Sequence, residues 1–429
     1  MSHEYSEIII MKTLILGAGI AGLSSAIAQQ ERGDEVEVLE AREGVALESS
    51  LGNGGLMTAS LCEPWNQPGI SKIMIPALFG GKDSMLRIHP KMLPSLAFWG
   101  LKFLRNSSQA RFLSASEADF RLSTYSQEKT KQLISEHDWD IKYQDNGMLQ
   151  VFRDQASLDH ALAIHVEYAK FGLEYQLLDK AATLAREPHL QHSADDLVGS
   201  IIYPDGSRGE CPLFCRHLAE LLVDRGAVVR TGVVVEKILV EKGRAVGALT
   251  NQGEVKADRV IVAMGNHAPM AMRTAGQKLP IRPVKGYAIT VPVDAELPKT
   301  IMLDVGLHIG IIPLHHDNTL RIGGGAEFAG MDTVFHQRYL ERSYGNVEKT
   351  LPHLVPYLKR DQQKTWAGRR PVTFDGKPFI GATGVENLFV NGGLGHLGWT
   401  QGMGAGHLLA DIIAGTTPAI DPAPFRLNR

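Results

Sequence analysis

Cysteine is scarce. The 429 residues hold three, Cys62, Cys211 and Cys215, too few and too badly spaced for a disulfide framework. Cys211 and Cys215 stand four apart, but no second pair of ligands at zinc-like spacing accompanies them, so no metal site is expected. Such cysteine usage fits a reducing compartment, and a cytoplasmic location is expected. Excess positive charge is lacking too. Forty-four Lys and Arg stand against 47 Asp and Glu, a net charge of −3, which removes the electrostatic basis for a nucleic-acid partner. No apolar run reaches the ~20 residues that span a bilayer. The run from Ile8 to Leu23 does not read as a signal sequence, because Glu4 and Glu7 precede it where positive charge belongs and Lys12 interrupts it. Met11 serves equally well as a start, with residues 1–10 an extension the fold does not need. Internal repeats and low-complexity segments are also missing.

What is present is a globular composition, 44% apolar and 21% charged, on a chain too long for one ordinary core, so two domains are expected. Glycine is plentiful and concentrated in two places. The first follows the apolar strand Thr13 to Leu16 and reads Gly17-Ala18-Gly19-Ile20-Ala21-Gly22. A helix to about Gln30 comes next, then a strand from Glu35 that ends on Glu40, 18 residues after Gly22. This is the dinucleotide-binding βαβ pattern. Gly17 makes the tight turn, Gly19 admits a pyrophosphate to the backbone N–H groups, Gly22 packs helix on strand, and the terminal acid meets the ribose hydroxyls. The expected contacts are Gly17, Gly19, Ile20, Ala21 and Gly22 on the turn, with Glu40 and Ala41 at the end of the second strand. NAD and FAD share the ADP half, so this motif does not choose between them.

The second concentration, Asn391 to Leu409, carries seven glycines at 392, 393, 395, 398, 402, 404 and 406. It follows the strand Glu386 to Val390 and runs into an apolar helix, repeating strand, glycine turn, helix. A second helix N-terminus can meet a second acceptor on one ligand. The N1–C2=O edge of a flavin becomes negative on reduction and gains from a helix N-terminus, whereas nicotinamide loses its charge. FAD is therefore expected. Glycines 393, 395 and 398 clear room for a broad ring, and 402, 404 and 406 allow close helix packing.

Between these ends, the strand Arg259 to Ala263 closes on small residues and Gly265, suiting an edge pressed against a cofactor at Ala263 and Gly265. Residues 63–195 carry no glycine fingerprint. The expected organisation is a cofactor domain from 11–62, 196–282 and 366–429, with a second domain inserted as 63–195 and 283–365. The apolar stretch Met92 to Leu104 is either a buried helix of the second domain or a membrane-surface helix, and the missing basic face favours the buried one. Upstream of the second glycine turn, Asp375-Gly376 reads as a hairpin turn. Arg369 and Arg370 then point to opposite faces of an extended segment, one to the flavin cleft and the other to solvent, and an arginine fork suits a carboxylate.

Taken together, the glycine fingerprint with Glu40, "ALESSLGNGG" (46–55), "RPVKGYAITVP" (282–292), "GRRPVTFDGKPFIG" (368–381), "NGGLGHLGWT" and the tail "DPAPFRLNR" resemble the bacterial D-amino acid dehydrogenases. These are FAD-dependent amine and amino acid oxidoreductases of the D-amino acid oxidase and glycine oxidase family. The match runs in order from about Thr13 to Arg426. The resemblance implies an α/β fold of the D-amino acid oxidase kind, a Rossmann-like FAD-binding domain with an inserted α+β substrate domain carrying a mixed sheet. The active site would lie between them. It places the substrate carboxylate on Arg370. It runs the loop Ser49, Ser50, Asn53, Gly54, Gly55 and Leu56 along the flavin, puts Val235 against the adenine, and sets Gly395, Leu397, Gly398, Trp399 and Thr400 at the pyrimidine edge. The implied reaction oxidises a D-amino acid to an imine, which water converts to keto acid and ammonia, with electrons passing to a quinone or another acceptor. Peripheral contact with the inner face of the cytoplasmic membrane would follow.

Hydride transfer needs placement, a neutral amine and a dry pocket rather than an obligatory base. Tyr287, His308, His396 and Trp399 are pocket-lining candidates if directed inward and core residues otherwise. Two departures from the family pattern make the pocket more apolar: Asn53-Gly54-Gly55-Leu56 replaces Asn-Ala-Gly-Gln, and Leu394 stands where His is common. A bulky, secondary-amine or N-substituted substrate then competes with D-alanine. The other readings are an oxidase or dehydrogenase of hydroxyproline- or sarcosine-like amino acids and a non-catalytic flavin-binding protein. No cysteine lies near residues 315–325, so non-covalent FAD is expected.

Overall fold

The computed structural model describes residues 10–78 and 86–429. Its first sheet has six strands in the order β19 (Phe379–Ala382), β20 (Leu388–Gly392), β13 (Arg259–Val262), β1 (Lys12–Leu16), β2 (Glu35–Leu39) and β9 (Val228–Arg230). All neighbours pair in parallel except the edge strand β19. Leu14, Ile15 and Leu16 are fully buried, as a central parallel strand covered on both faces requires. One face carries α1 (Ile20–Gln30), α7 (Cys211–Asp224), α10 (Gly398–Ala414) and the long α4 (Gln109–His137), whose apolar residues share one core. The other face is covered by the antiparallel sheet β10 (Val235–Glu241), β11 (Arg244–Thr250), β12 (Gly253–Lys256) and by α8 (Ala268–Thr274) and α3 (Leu93–Arg105).

The second sheet has nine strands. Its order is β18 (Lys364–Val372), β14 (Arg282–Pro292), β17 (Thr319–Phe328), β16 (Ile309–Leu314), β15 (Ile301–Asp304), β5 (Met148–Phe152), β7 (Gly199–Tyr203) and β6 (Gln176–Asp179), with β4 (Leu86–Ile88) also on β17. It is mixed: β5 with β15 and β4 with β17 are parallel, the rest antiparallel. α9 (Gln337–Thr350) packs its Tyr344 and Val347 on one face, against Ile289, Ile309, Ile311 and Ile322. Helices α5 (Gln155–Ala169), α6 (Lys180–Arg186) and α2 (Ser71–Leu78) flank the same domain. A two-stranded ladder of β3 (Leu56–Met57) and β8 (Ser207–Arg208) ties the flavin-side loop to the chain between domains.

The sheets divide the chain at points other than the sequence bounds. β7 lies within 196–282 and most of β18 within 366–429, yet both belong to the nine-stranded sheet, because each pairs along its length with a strand of that sheet. Helix α4, from 63–195, packs on α10 and shares the first domain's core. A Cβ on Gly406 would stand 2.3 Å from the Ser24 carbonyl oxygen, and one on Gly402 2.4 Å from Ile20 Cγ1. The helix glycines therefore let α10 and α1 touch backbone to backbone.

Candidate active site

The two sheets enclose a cavity of about 1060 Å³, just above the ~300–1,000 Å³ of an ordinary small-ligand pocket. Its size suits a dinucleotide with room beside it. Helices α1 and α10, lying side by side, both begin at its wall, on Gly19 and Leu397. First-turn N–H groups have no acceptor within their own helix, so two partly positive ends face one space. Ile20 N donates to Ser50 Oγ at 3.3 Å.

The turn that opens α1 admits only glycine at two points. Gly17 has φ +103°, and its Cβ would lie 2.7 Å from the Ala263 carbonyl oxygen; a Cβ on Gly22 would lie 1.8 Å from the Gly17 oxygen. Glu40 Oε2 accepts from Ala18 N at 2.8 Å and Oε1 from Arg42 N at 2.9 Å. The carboxylate is thus held beside the phosphate turn, at the ribose position of a dinucleotide. Val233 to Val235 line that end of the cavity. These residues fit the ADP half of FAD.

At the other end, hydrogen bonds pin the loop 49–56. Ser49 Oγ donates to Arg369 O at 2.6 Å, Asn53 Nδ2 to Ser50 O at 3.2 Å, and Gly55 N to Asn53 Oδ1 at 2.7 Å. Arg321 Nη1 donates to Asn53 O at 3.3 Å while pairing with Glu210 at 3.1 Å. Gly395 N donates to Pro371 O at 3.1 Å, fastening the second glycine turn to β18. Every cofactor position expected from sequence lines the cavity except two. Gly22 lies beneath the turn, and Gly55 (φ +75°) packs on the Gly209 carbonyl and Arg321.

The arginine pair separates as alternation on a strand requires, with one correction. Arg370 faces the cavity and donates from Nη1 to Gly325 O at 3.0 Å. Arg369 does not face solvent: it is 8% exposed, donates to Met331 O at 3.1 Å and pairs with Glu48. Its carbonyl is also held by Asn266 Nδ2 at 2.7 Å. Gly286 makes the space for Arg370, since a Cβ there would lie 1.9 Å from Nη1. Among the described residues no carboxylate pairs with Arg370, and burial alone pulls its guanidinium down to about 10. A guanidinium enclosed without a counter-charge is a site waiting for an anion.

Tyr287 touches the cavity lining but turns its ring and hydroxyl elsewhere. Ladder pairing puts it with Ala367, on the face opposite Arg370, Gly368 and Trp366. Its hydroxyl donates to Glu327 and its ring stacks on Tyr339 at 3.7 Å. Trp399 is likewise 5% exposed, turned into the core toward Phe214. His308, with φ +53°, sits on the cavity wall between β15 and β16. His396 also lines the cavity, stacks on Trp65 at 5.5 Å, and is drawn down to about 4 by burial and by Arg370. The Arg370 guanidinium lies 5.8 Å over the same Trp65 ring.

Two site residues escaped the sequence reading. Trp366 packs its indole between Gly368 and Gly52, where Cβ atoms would come within 1.7 Å and 2.1 Å of the ring. The signal was the period-2 series Trp366, Gly368, Arg370, which assigns all three to one face. Trp65 had no such signal, because it reaches the site from a loop.

The sequence model of the family described as FAD dependent oxidoreductase matches residues 12–412. A D-amino acid dehydrogenase of Allorhizobium ampelinum is 35% identical over 424 residues, covering 98% of each chain. That of Chromohalobacter salexigens is 34% identical over 98% of this chain and 99% of its own. Among solved structures, glycine oxidase from Geobacillus kaustophilus shares the fold with a TM-score of 0.76 at 20% identity, over 98% of this chain and 99% of that one. L-proline dehydrogenase from P. horikoshii also gives 0.76, at 18% identity over 95% and 94%. With its paired helix ends, glycine cradle and terminal acid in one cavity, the chain belongs to the family of FAD dependent oxidoreductases.

Proposed function

We propose that this protein oxidises D-amino acids at the Cα–N bond, giving an imine that water converts to keto acid and ammonia. The observation that carries the reading is Arg370, an enclosed cation with no carboxylate among the described residues beside it, in the cavity that also holds the cofactor residues. Relatives at 34–35% identity named D-amino acid dehydrogenase support the substrate class. Bound FAD supplies the two-electron acceptor for the hydride leaving Cα. The chain's own part is placement: Arg370 holds the carboxylate, Gly286 gives it room, and the pinned loop 49–56 forms one wall of the space. His308 and His396 are both held below the ordinary histidine value by burial, so neither adds a positive charge to the cavity at neutral pH. The cysteines are buried and none lines the cavity, which supports non-covalent FAD; yellow colour surviving on acid-precipitated protein would refute that.

The test is anaerobic mixing of the yellow protein with D- and L-amino acids, cyclic imino acids and N-methyl amines. Bleaching by D-amino acids with L-enantiomers inert is expected. Bleaching by imino or N-methyl acids alone would move the reading to secondary amines, and none at all would leave a flavin-binding protein.

For the acceptor, a quinone taken at a membrane surface is proposed. No helix among the described residues is long and apolar enough to cross a membrane. Helix α3 is not the buried helix favoured from sequence: it buries Leu96, Trp99 and Phe103 but leaves Phe98 72% and Leu101 66% exposed, and its basic residues sit at its end and on the flanking chain, where no periodic face shows them. Residues 86–116 around it carry Arg87, Lys91, Lys102, Arg105 and Arg111 and no acid, a charge pattern suited to an anionic lipid face on the cytoplasmic side. Phe98→Asp with Leu101→Asp should abolish co-sedimentation with anionic vesicles and spare activity with a soluble dye.

A further inference from the structure

Resting on the reading that Arg370 anchors an amino acid carboxylate, we infer that the substrate side chain enters a trough floored by Ala288, Gly323 and Gly310, and that Gly323 and Gly310 make this an enzyme for large apolar side chains. Ladder partners on neighbouring strands share a face. One row therefore crosses the sheet from Trp366 through Ala288, Gly323, Gly310 and Leu303 to Gln150. The alternating residues Ile289, Ile309 and Ile322 face α9, so this row faces the cavity, and all six of its members line it. The row is large at Trp366 and Leu303 and nearly bare between them, with a single methyl group over three strands. Ala288 and Gly310 stand two strand spacings apart, ~10 Å.

The trough lies where a substituent on the anchored substrate would fall. The Arg370 guanidinium folds back over Gly286, two residues or ~7 Å along the strand from Ala288. Ile312 bounds the far side, with Gly54 above it, where a Cβ would be 3.9 Å from Ile312 Cδ1. Gly52 lies against Trp366. Gln150, the polar member of the row, is engaged by the Tyr203 hydroxyl at 2.5 Å. Trp366, Leu303 and Ile312 are its apolar walls, with His308 at the end where β16 begins. Neither Gly310 nor Gly323 has a positive φ, so the backbone does not demand glycine at either. A Cβ at Gly323 would meet nothing within 4 Å, and one at Gly310 would meet the flexible end of Leu303 at 3.2 Å, Ile312 Cδ1 at 3.5 Å and, in ordinary contact, Gly323 O at 3.9 Å. Bare backbone here serves the empty space.

The experiment compares kcat/KM for D-alanine, D-leucine and D-phenylalanine, with a dye acceptor, in the flavin-loaded wild type, Gly323→Val and Gly310→Ala. Buried apolar groups discriminate by roughly 10- to 200-fold per methylene. The wild type should prefer the two large substrates by at least that lower figure. Gly323→Val should keep its FAD and lose roughly 100-fold more on D-phenylalanine than on D-alanine, with Gly310→Ala showing a smaller shift of the same ratio. A wild type that prefers D-alanine, equal loss on all three substrates, an unchanged D-phenylalanine rate, or flavin lost from Gly323→Val would each overturn the trough while leaving D-amino acid oxidation standing. Failure of every amino acid to bleach the wild-type flavin would instead remove the underlying reading, and the trough with it.

Discussion

Replacing Arg370 by methionine removes a charge and keeps an unbranched chain of similar reach. Two opposite effects follow from the geometry. Burial pulls the guanidinium well below its ordinary value, to about 10; at ~1.4 kcal/mol per unit, holding that charge without a counter-ion costs the free protein on the order of a few kcal/mol. Against this stands one charged hydrogen bond, to Gly325 O at 3.0 Å, worth about 1.5–3 kcal/mol. The variant should therefore melt no lower than the wild type, and up to a few degrees higher. Substrate binding loses the partner of a desolvated ion pair, about 2–5 kcal/mol, so kcat/KM for a D-amino acid should fall roughly 30- to 5,000-fold. The discriminating assay pairs each acid with its carboxamide. Only the acid meets Arg370 through a carboxylate, so Arg370→Met should erase the preference for acid while changing the amide little. Equal loss on acid and amide, or a melting temperature several degrees lower with the acid preference intact, would show that Arg370 is structural and that the carboxylate binds elsewhere.

Gly406→Ala places a methyl 2.3 Å from the Ser24 oxygen and 2.8 Å from Ser25 N, both backbone atoms that cannot rotate aside; α1 and α10 should part at a cost of about 1–3 kcal/mol, read as a lower melting temperature and released flavin fluorescence. Glu40→Gln keeps the shape of the acceptor held at 2.8 Å from Ala18 N but not its charge, and FAD affinity should fall roughly 10- to 100-fold by flavin titration. His407 is drawn to about 4 by burial with Lys129 and Arg32, against an ordinary 6.5. A lowered value means the unfolded chain takes the proton first, so this stability is whole above pH ~6.5 and is lost as the pH falls toward 4, by roughly 2 kcal/mol at pH 5. His407→Gln should flatten the melting temperature between pH 7 and 5; an unchanged slope would show the histidine to be irrelevant to acid sensitivity.

Legibility followed sequence distance. The turn at Gly17 is tied to the strand after α1 by Gly17 N to Leu39 O and Ala18 N to Glu40, within some 25 residues, so spacing marks it, and the α10 glycines could be assigned to packing because nothing else justifies them inside a helix. Strand membership was another matter. β7 and β18 are short apolar or mixed runs whose sheet is decided by partners such as Met148 and Val284, more than 50 residues away, and no local pattern encodes that. Arg369 was misplaced because alternation names the opposite face but not what covers it; Met331 and Glu48 come from distant segments. Tyr287 sits on a strand whose pairing with β17 shifts register between Lys285 and Tyr287, and a bulge changes which side chains share a face.

Because α1 and α10 meet through bare backbone yet lie some 370 residues apart in the chain, the second positive pole of the cavity leaves a ribosome long after the first. A nascent chain carrying the first glycine turn has half a cradle. The yellow cofactor can lock in only after α10 has docked on α1, so cofactor capture and the pairing of two distant segments are joined in one event.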